Sequence, residues 1–268
     1  MPGKSIQSQD LYGLQMTPEL LSGLPTSATY ELTFATTPLD VTSVRRLRYN
    51  VFNEELNEGL DQSRLTGLDA DEYDFQCHHL LVRHKQTCDV VGTYRMQTVE
   101  TAASNRGFYS ATVFDLSKAP VEFIRNSVEI GRACIRQDHR SLQVLYLLWK
   151  GIGHFCMIHG KKYLFGCCSL TGQDVDHAFA VERYLMERGH IHPDLNIPAL
   201  ESHRCDGFGA NLSSQGHPPR LMRTYLSLGA KICSPPAIDR AFKTIDFLTV
   251  FDLTAFDALD SAFYHLKP

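Results

Sequence analysis

The sequence predicts a mixed α/β sheet in one domain, and three features carry that prediction. Two β-rich runs, residues 79–82 (HLLV) and 90–98 (VVGTYRMQT), flank the polar HKQTCD, which is the pattern of an antiparallel hairpin. Residues 141–159 (SLQVLYLLWKGIGHFCMIH) are apolar almost all round, as in a helix covered on several sides. The order along the chain is helix, strands, helix, strand, helix, strands, which suits helices packed on a single sheet.

Residues 1–38 are rich in Ser, Thr, Pro and Gln, with apolar islands at Leu20, Leu21 and Leu24. They read as an extension lying on the core, with residues 39–268 as the single domain. From Asp40, DVTSVRRLRYNVFNEEL places Val44, Leu47, Val51 and Leu56 near helical spacing, with Asp40 or Thr42 as N-cap. After the hairpin, residues 127–135 form a third strand. The helix at 141–159 is followed by a short buried strand at 162–170 (KYLFGCCSL) and a helix at 175–188 that Gly189 ends. Residues 190–219 are irregular, with Pro193, Pro198, Pro218 and Pro219 among glycines, and a loop that long inside a domain is usually functional. A helix at 220–228 closed by Gly229 and strands at 230–233 and 244–251 complete the chain.

Composition narrows the function. The 268 residues are 43% hydrophobic and 21% charged, ordinary for a globular protein of enzyme size. A net charge of -4 argues against bulk nucleic-acid binding. No charged-then-apolar leader opens the sequence, and no apolar run reaches the roughly 20 residues that span a bilayer, so a cytoplasmic location is expected. Eight cysteines without a CxxC pair read as reduced thiols, and twelve histidines near them fit no zinc spacing, so no metal is expected.

The run VEIGRACIRQDHR (residues 128–140) puts Glu129 and Arg132 in a strand that should be apolar, and buried charges must be paired or put to use. With LRYNVFNEEL (47–56), LDADEYDFQCHHLLV (68–82), VVGTYRMQT and RLMRTYLSLGA (220–230), this run resembles the Gcn5-related N-acyltransferase (GNAT) superfamily. More narrowly, the set is similar to the branch that draws acyl chains from acyl carrier protein: ornithine N-acyltransferases, long-chain N-acyl amino acid synthases and, more distantly, acyl-homoserine-lactone synthases. The resemblance spans about residues 41–252 and implies a mixed, mostly antiparallel GNAT-like sheet flanked by helices.

The resemblance implies no bound cofactor. The donor it points to is an acyl-phosphopantetheine on acyl carrier protein, with acyl-CoA the lesser choice. The turn that cradles a pyrophosphate elsewhere in the superfamily reads RQDHRSLQVL here, without glycine and with Asp138 adding a negative charge. Arg136, Arg140 and Lys150 would then meet the carrier's acidic surface, although each alone also reads as a solvated helix start.

The implied function is transfer of a long-chain, 3-hydroxy or unsubstituted, fatty acyl group to the α-amino group of an amino acid, ornithine first. The alternatives are another acceptor such as tyrosine, lactone synthesis, or a non-catalytic protein that binds acyl chains or the carrier. Retention of Glu129, Arg132, Arg95 and Asp74 favours the enzyme over the binder. Glu129 matches the acidic residue of the family's E-x-x-R strand, as base or amine holder. Arg132 would pair with it or bind the acceptor's carboxylate.

Tyr225 is the candidate acid at the thiol, and the backbone around Ala133 and Cys134 would polarise the carbonyl. Arg48, Asp71, Asp74 and Arg95 match charged positions of the lactone synthases. They read equally as an acceptor site and as a salt-bridge network stapling the first helix to the sheet. Phe114 is expected to line an apolar tunnel. The loop 190–219 leaves peripheral membrane contact open, and the oligomeric state is not legible.

One geometric expectation closes the reading. Glu129 and Arg132 are three residues apart and point to opposite faces of a regular strand. If both serve one site, a bulge must lie between them, and Gly131 permits it.

Overall fold

The period-two runs fold into one eight-stranded sheet in the computed structural model, which describes Leu14, residues 16–206 and residues 216–254. The strands are β1 (Tyr30–Phe34), β2 (His78–His84), β3 (Val90–Thr98), β4 (Ser127–Ile135), β5 (Tyr163–Thr171), β6 (Lys231–Ile232), β7 (Ala237–Asp239) and β8 (Thr244–Asp252). Their order is β1-β2-β3-β4-β5-β8-β6, with β7 also paired to β8. Only β4 and β5 run parallel; the other pairings are antiparallel. The predicted mixed, mostly antiparallel sheet is what forms.

Among the described residues, four helices of eight or more residues flank it: α1 (Pro38–Tyr49), α2 (Leu142–Ile158), α3 (Val175–Glu187) and α4 (Arg220–Ser227). The cap of α1 is Thr37 rather than Asp40 or Thr42. Thr37 Oγ1 accepts from Asp40 N, and the Asp40 carboxylate accepts from Thr37 N, a reciprocal box that leaves Pro38 in the first turn. Val41, Val44 and Leu47 of α1 pack on Leu81, Val90 and Cys134 on one face of the sheet.

On the opposite face, Val144, Leu148, Ile152 and Phe155 of α2 meet Leu32, Leu80, Val82 and Val91. Each such side chain contributes roughly 1.5–3 kcal/mol by leaving water. A Cβ at Gly151 would stand 2.7 Å from the Leu80 side chain, so Gly151→Val would push α2 off the sheet. Cover is less complete than the apolar run suggests, because Leu142 and Met157 stay exposed.

Two strands escaped the sequence reading. β1 begins at residue 30, inside the expected extension, and β7 is a three-residue edge piece. The helix expected to run to Leu56 changes character at Asn50–Glu55, a π-helical turn in which Leu56 N reaches Val51 O at 3.0 Å. Of the loop 190–219, residues 190–206 are tied down by bridges from Ile191 to Ile232, Ala199 to Phe114 and Arg204 to Ala237. Residues 207–215 lie outside the described part, as do residues 1–13. Among the described residues no helix is long and apolar enough to cross a membrane.

Candidate active site

A gap opens in the sheet where the parallel strands β4 and β5 come apart. β4 and β5 stay in register for three residues, from Ser127 with Tyr163 to Glu129 with Phe165. The Ile130 carbonyl then leans on Gly166, where a Cβ would sit 2.1 Å from its oxygen, so only glycine fits. On the other edge of β4, Thr93 pairs with Cys134 and Arg95 with Gly131, which leaves Arg132 and Ala133 opposite Tyr94 alone. That is a bulge. The left-handed backbone falls on Arg132 itself, at φ 49°, and not on Gly131. Such a conformation costs about 1–3 kcal/mol, which the contacts of the Arg132 side chain must offset.

A cavity of about 510 Å³ opens at this gap. Its wall includes Glu129, Arg132, Ala133, Cys134 and Tyr225, and it also takes in Arg95. Glu129 is buried, and three donors fix it: Gln97 Nε2 at 2.6 Å, Tyr109 N at 3.0 Å and Ser110 N at 2.7 Å. It is an oriented carboxylate, not an exposed strand residue.

The residues 69–74 form a second group. Arg48 donates to Asp69 (2.6 Å) and Asp74 (2.8 Å), Arg95 to Asp71 (2.5 Å) and Asp74 (2.9 Å), and Arg45 to Asp74 (3.0 Å). Arg132 reaches Asp71 at 2.9 Å and stacks on the rings of Tyr109 and Phe242. Burial pushes the Asp74 carboxyl upward, but the Arg48 and Arg95 guanidiniums outweigh it and hold it well below the usual range. Asp71 is likewise held low, by Arg95 and Arg132 against its own burial.

These contacts correct the acceptor-site reading of Asp74 and Arg48, which are fully buried and absent from the cavity wall. They staple α1 to the sheet. Arg95 and Arg132 belong to both the network and the cavity. Arg132 therefore pairs with Asp71, not with Glu129.

Phe114 is another correction. It lies in the apolar cluster under residues 99–125, with Phe108, Phe123 and Phe165, and not in the cavity. Tyr225 does face the cavity, its hydroxyl hydrogen-bonded to that of Tyr94. Burial, and then the Tyr94 hydroxyl, push the Tyr225 phenol well above its ordinary range.

The three expected docking cations differ in their surroundings. Arg140 forks onto Glu55 at 2.5 and 2.7 Å, Arg136 is engaged by Asp89 and Asp138, and Lys150 is half-buried on α2. The thiols of the gap are inert. Burial pushes Cys134 and Cys167 up, and Cys168 up to about 12, so none is a thiolate near neutral pH.

Two acidic residues of the cavity wall went unnoticed in the sequence, Glu58 and Asp246. Glu58 is delivered by the turn after the π-helical segment, where Glu58 N bonds Phe52 O at 2.7 Å. Asp246 sits on β8 beside Ser169 of β5. Its strand reads TIDFLTVFD, a carboxylate within an apolar run, which is the same signal that singled out Glu129. Chemically, the wall brings together an oriented carboxylate, a tyrosine hydroxyl and an apolar flank of Leu142, Leu145 and Leu221 across the gap.

Comparison with known proteins identifies the family. Residues 47–150 match the acetyltransferase (GNAT) domain family. The chain is 30% identical over 242 residues to an L-ornithine N(alpha)-acyltransferase of Agrobacterium fabrum, covering 85% of this chain and 82% of that one. It is 29% identical over 257 residues to the L-ornithine N(alpha)-acyltransferase of Brucella abortus, covering 87% and 88%. Among solved structures, FeeM, an N-acyl amino acid synthase from uncultured soil microbes, superposes with a TM-score of 0.54 at 9% identity, covering 89% of this chain and 98% of that one, a likeness of fold. The chain therefore belongs to the GNAT superfamily, within the family of these two bacterial acyltransferases, and is an N-acyltransferase.

Proposed function

We propose that the protein moves a long-chain fatty acyl group, 3-hydroxylated or not, from the phosphopantetheine of acyl carrier protein to the α-amino group of ornithine. The observation that carries this reading is the cavity at the β4–β5 gap, where the anchored Glu129 carboxylate and an apolar flank share one wall. The relatives' names supply the acceptor.

The reaction needs a neutral amine beside a polarised thioester. The amine nitrogen attacks the carbonyl carbon, the C–N bond forms, the C–S bond breaks, and one amine proton is exchanged for one taken up by the departing sulfur. Glu129 holds the ammonium and takes its proton directly or through a water. The backbone of Ala133 and Cys134, at the bulge, is the candidate to polarise the carbonyl. A tyrosine raised above its ordinary value is a weaker acid than a thiol, so Tyr225 hydrogen-bonds the leaving sulfur rather than surrendering its proton outright.

The glycine-free turn before α2, with Asp138 in it, favours a carrier-bound pantetheine over a nucleotide pyrophosphate. Leu142 and Leu221, 61% and 37% exposed at the cavity's edge, give the acyl product an apolar exit, which suits contact with a membrane surface. The test is purified protein with long-chain 3-hydroxyacyl carrier protein or the matching acyl-CoA, offered a panel of amino acids, with products read by mass spectrometry. N-acylornithine from the carrier-bound donor is expected. Absence of that product overturns the reading, and equal use of acyl-CoA overturns its donor half.

A further inference from the structure

Two carboxylates of the cavity wall stand outside any ion pair, although arginines line the same cavity, because Arg95, Arg132 and Arg140 are engaged by Asp71, Asp74, Asp69 and Glu55. Asp246 is 2% exposed and Glu58 6% exposed, both line the cavity, and neither has an ion-pair partner among the described residues. Their hydrogen bonds come from neutral hydroxyls: Thr244 to Asp246 at 2.9 Å, with Ser169 beside it, and Thr171 to Glu58. Asp239, close behind Asp246, is itself satisfied by the Tyr109 hydroxyl and Phe242 N, and adds a further negative charge.

Burial first, and Asp239 second, push Asp246 up to about 6 against the pull of Ser169, Thr244 and, more weakly, Arg132; burial and Asp246 push Glu58 up against the Thr171 hydroxyl. Buried carboxylates left without a cation are held for a ligand that brings one. Among the described residues no group of three or more metal-ligating side chains is arranged to hold a metal ion, and the acceptor proposed above brings an organic cation.

The same cavity offers an independent anchor for an amino acid. The Arg132 side chain is 6% exposed, lines the cavity, and its Nε has no hydrogen-bond partner, standing 3.4 Å from Asp69. Its guanidinium is shared between Asp69 and Asp71, so an acceptor carboxylate would meet it only from the cavity side. Position is compatible: Asp246 pairs with Ser169, on the stretch of β5 beyond its last pairing with β4 at Phe165. Asp246 lines the same cavity as Glu129 and the bulge residues Arg132 and Ala133.

We infer that Asp246, with Glu58, receives the side-chain ammonium of a diamino-acid acceptor, and that this pair sets the selectivity for ornithine over neutral amino acids. The inference rests on the function proposed above. An extended ornithine holds its two nitrogens roughly 6 Å apart by bond lengths, so one carboxylate cannot serve both. Glu129 serves the α-amine and the Asp246–Glu58 wall the other. A neutral acceptor such as norvaline, the same carbon chain without the terminal amine, would leave that wall uncompensated.

The experiment compares kcat/KM for ornithine and norvaline, with 3-hydroxyacyl carrier protein as donor, in the wild type, Asp246→Asn and Glu58→Gln, after thermal melts show which variants fold. The wild type should favour ornithine by roughly a hundredfold or more. Asp246→Asn should cut that ratio at least tenfold through KM for ornithine and leave norvaline turnover intact. Glu58→Gln should act in the same direction and supplies the test if the Asn variant does not fold. An unchanged ratio in the folded variants overturns the inference alone. So does an equal fall for both acceptors, which would put Asp246 in the chemistry. A wild type that acylates no amino acid overturns the proposed function, and this inference with it.

Discussion

Two buried charge clusters lie side by side in this molecule, and their difference separates structure from function. In the first, Arg45, Arg48, Arg95 and Arg132 face Asp69, Asp71 and Asp74, so four guanidiniums hold three carboxylates and each carboxylate touches at least one of them. In the second, Glu58, Glu129 and Asp246 share the cavity wall without an ion-pair partner among the described residues. Matched charges in a protein interior fix geometry. Unmatched ones cost stability, and the proposed function gives that cost a use, because its acceptor is a cation.

Breaking the matched cluster should produce the largest effect. Arg48→Ala strips Asp69 and Asp74 of their shared partner inside the core and should cost about 3–5 kcal/mol, seen as a lower midpoint in urea. A loss below about 1 kcal/mol would show that the network is solvated, and the contrast between the clusters would collapse.

Next comes the oriented member of the unmatched cluster. Glu129→Gln keeps the shape but removes the charge, and kcat should fall by roughly a hundredfold or more while the melting curve stays close to wild type. Unchanged turnover would remove Glu129 from the chemistry. A collapse of the fold would mean that its three donors serve structure alone.

Asp246→Asn tests the cost side. With a folded value of about 6 against an ordinary 3.8, wild-type Asp246 keeps its proton in the folded state between those pH values while the unfolded chain has already released it. Stability therefore falls as pH rises through that window and levels off above about 6, a loss of about 3 kcal/mol in all. The Asn variant escapes that loss. It should be up to about 2–3 kcal/mol more stable than wild type at pH 7 and no more stable at pH 4, as measured by denaturant titration at both pH values. A variant less stable at pH 7 would mean that Asp246 is matched by a charge after all.

How much of this was legible in the sequence depends on the range over which each signal acts. β3, β4 and α2 were legible because alternation and continuous apolarity are local properties of nine or more residues. β1 was not, although Tyr30, Leu32 and Phe34 alternate with outward residues, because five residues of period two are weak evidence inside a Ser- and Thr-rich run.

Within the site, Glu129 stood out as a charge in an apolar strand. Asp246 offered the same signal three residues into β8 and was read simply as the start of that strand. Glu58 carries no sequence signal: only the π-helical turn and the tight turn after it bring it to the cavity. For Asp71 and Asp74 the spacing fitted an acceptor site and a salt-bridge staple equally. Only burial, which the whole fold decides, favoured the staple for Asp74.

The smallest effect should come from a charge pair at the surface, the baseline for both clusters. Arg140 and Glu55 form a two-pronged pair, but the Arg140 side chain is 40% exposed, so water and salt already screen it. Arg140→Ala should change stability by no more than about 1 kcal/mol. If the turn before α2 receives an acidic carrier protein, the same substitution should raise KM for the acyl carrier protein several-fold, and the rise should shrink as ionic strength increases, because rim charges act through a screened field. Turnover from a free acyl-pantetheine donor, which has no acidic surface, should not change. Arg140 also lines the cavity, so a variant that slows both donors alike would make it part of the acyl path, and the surface pair would then join the functional charges rather than serve as their reference.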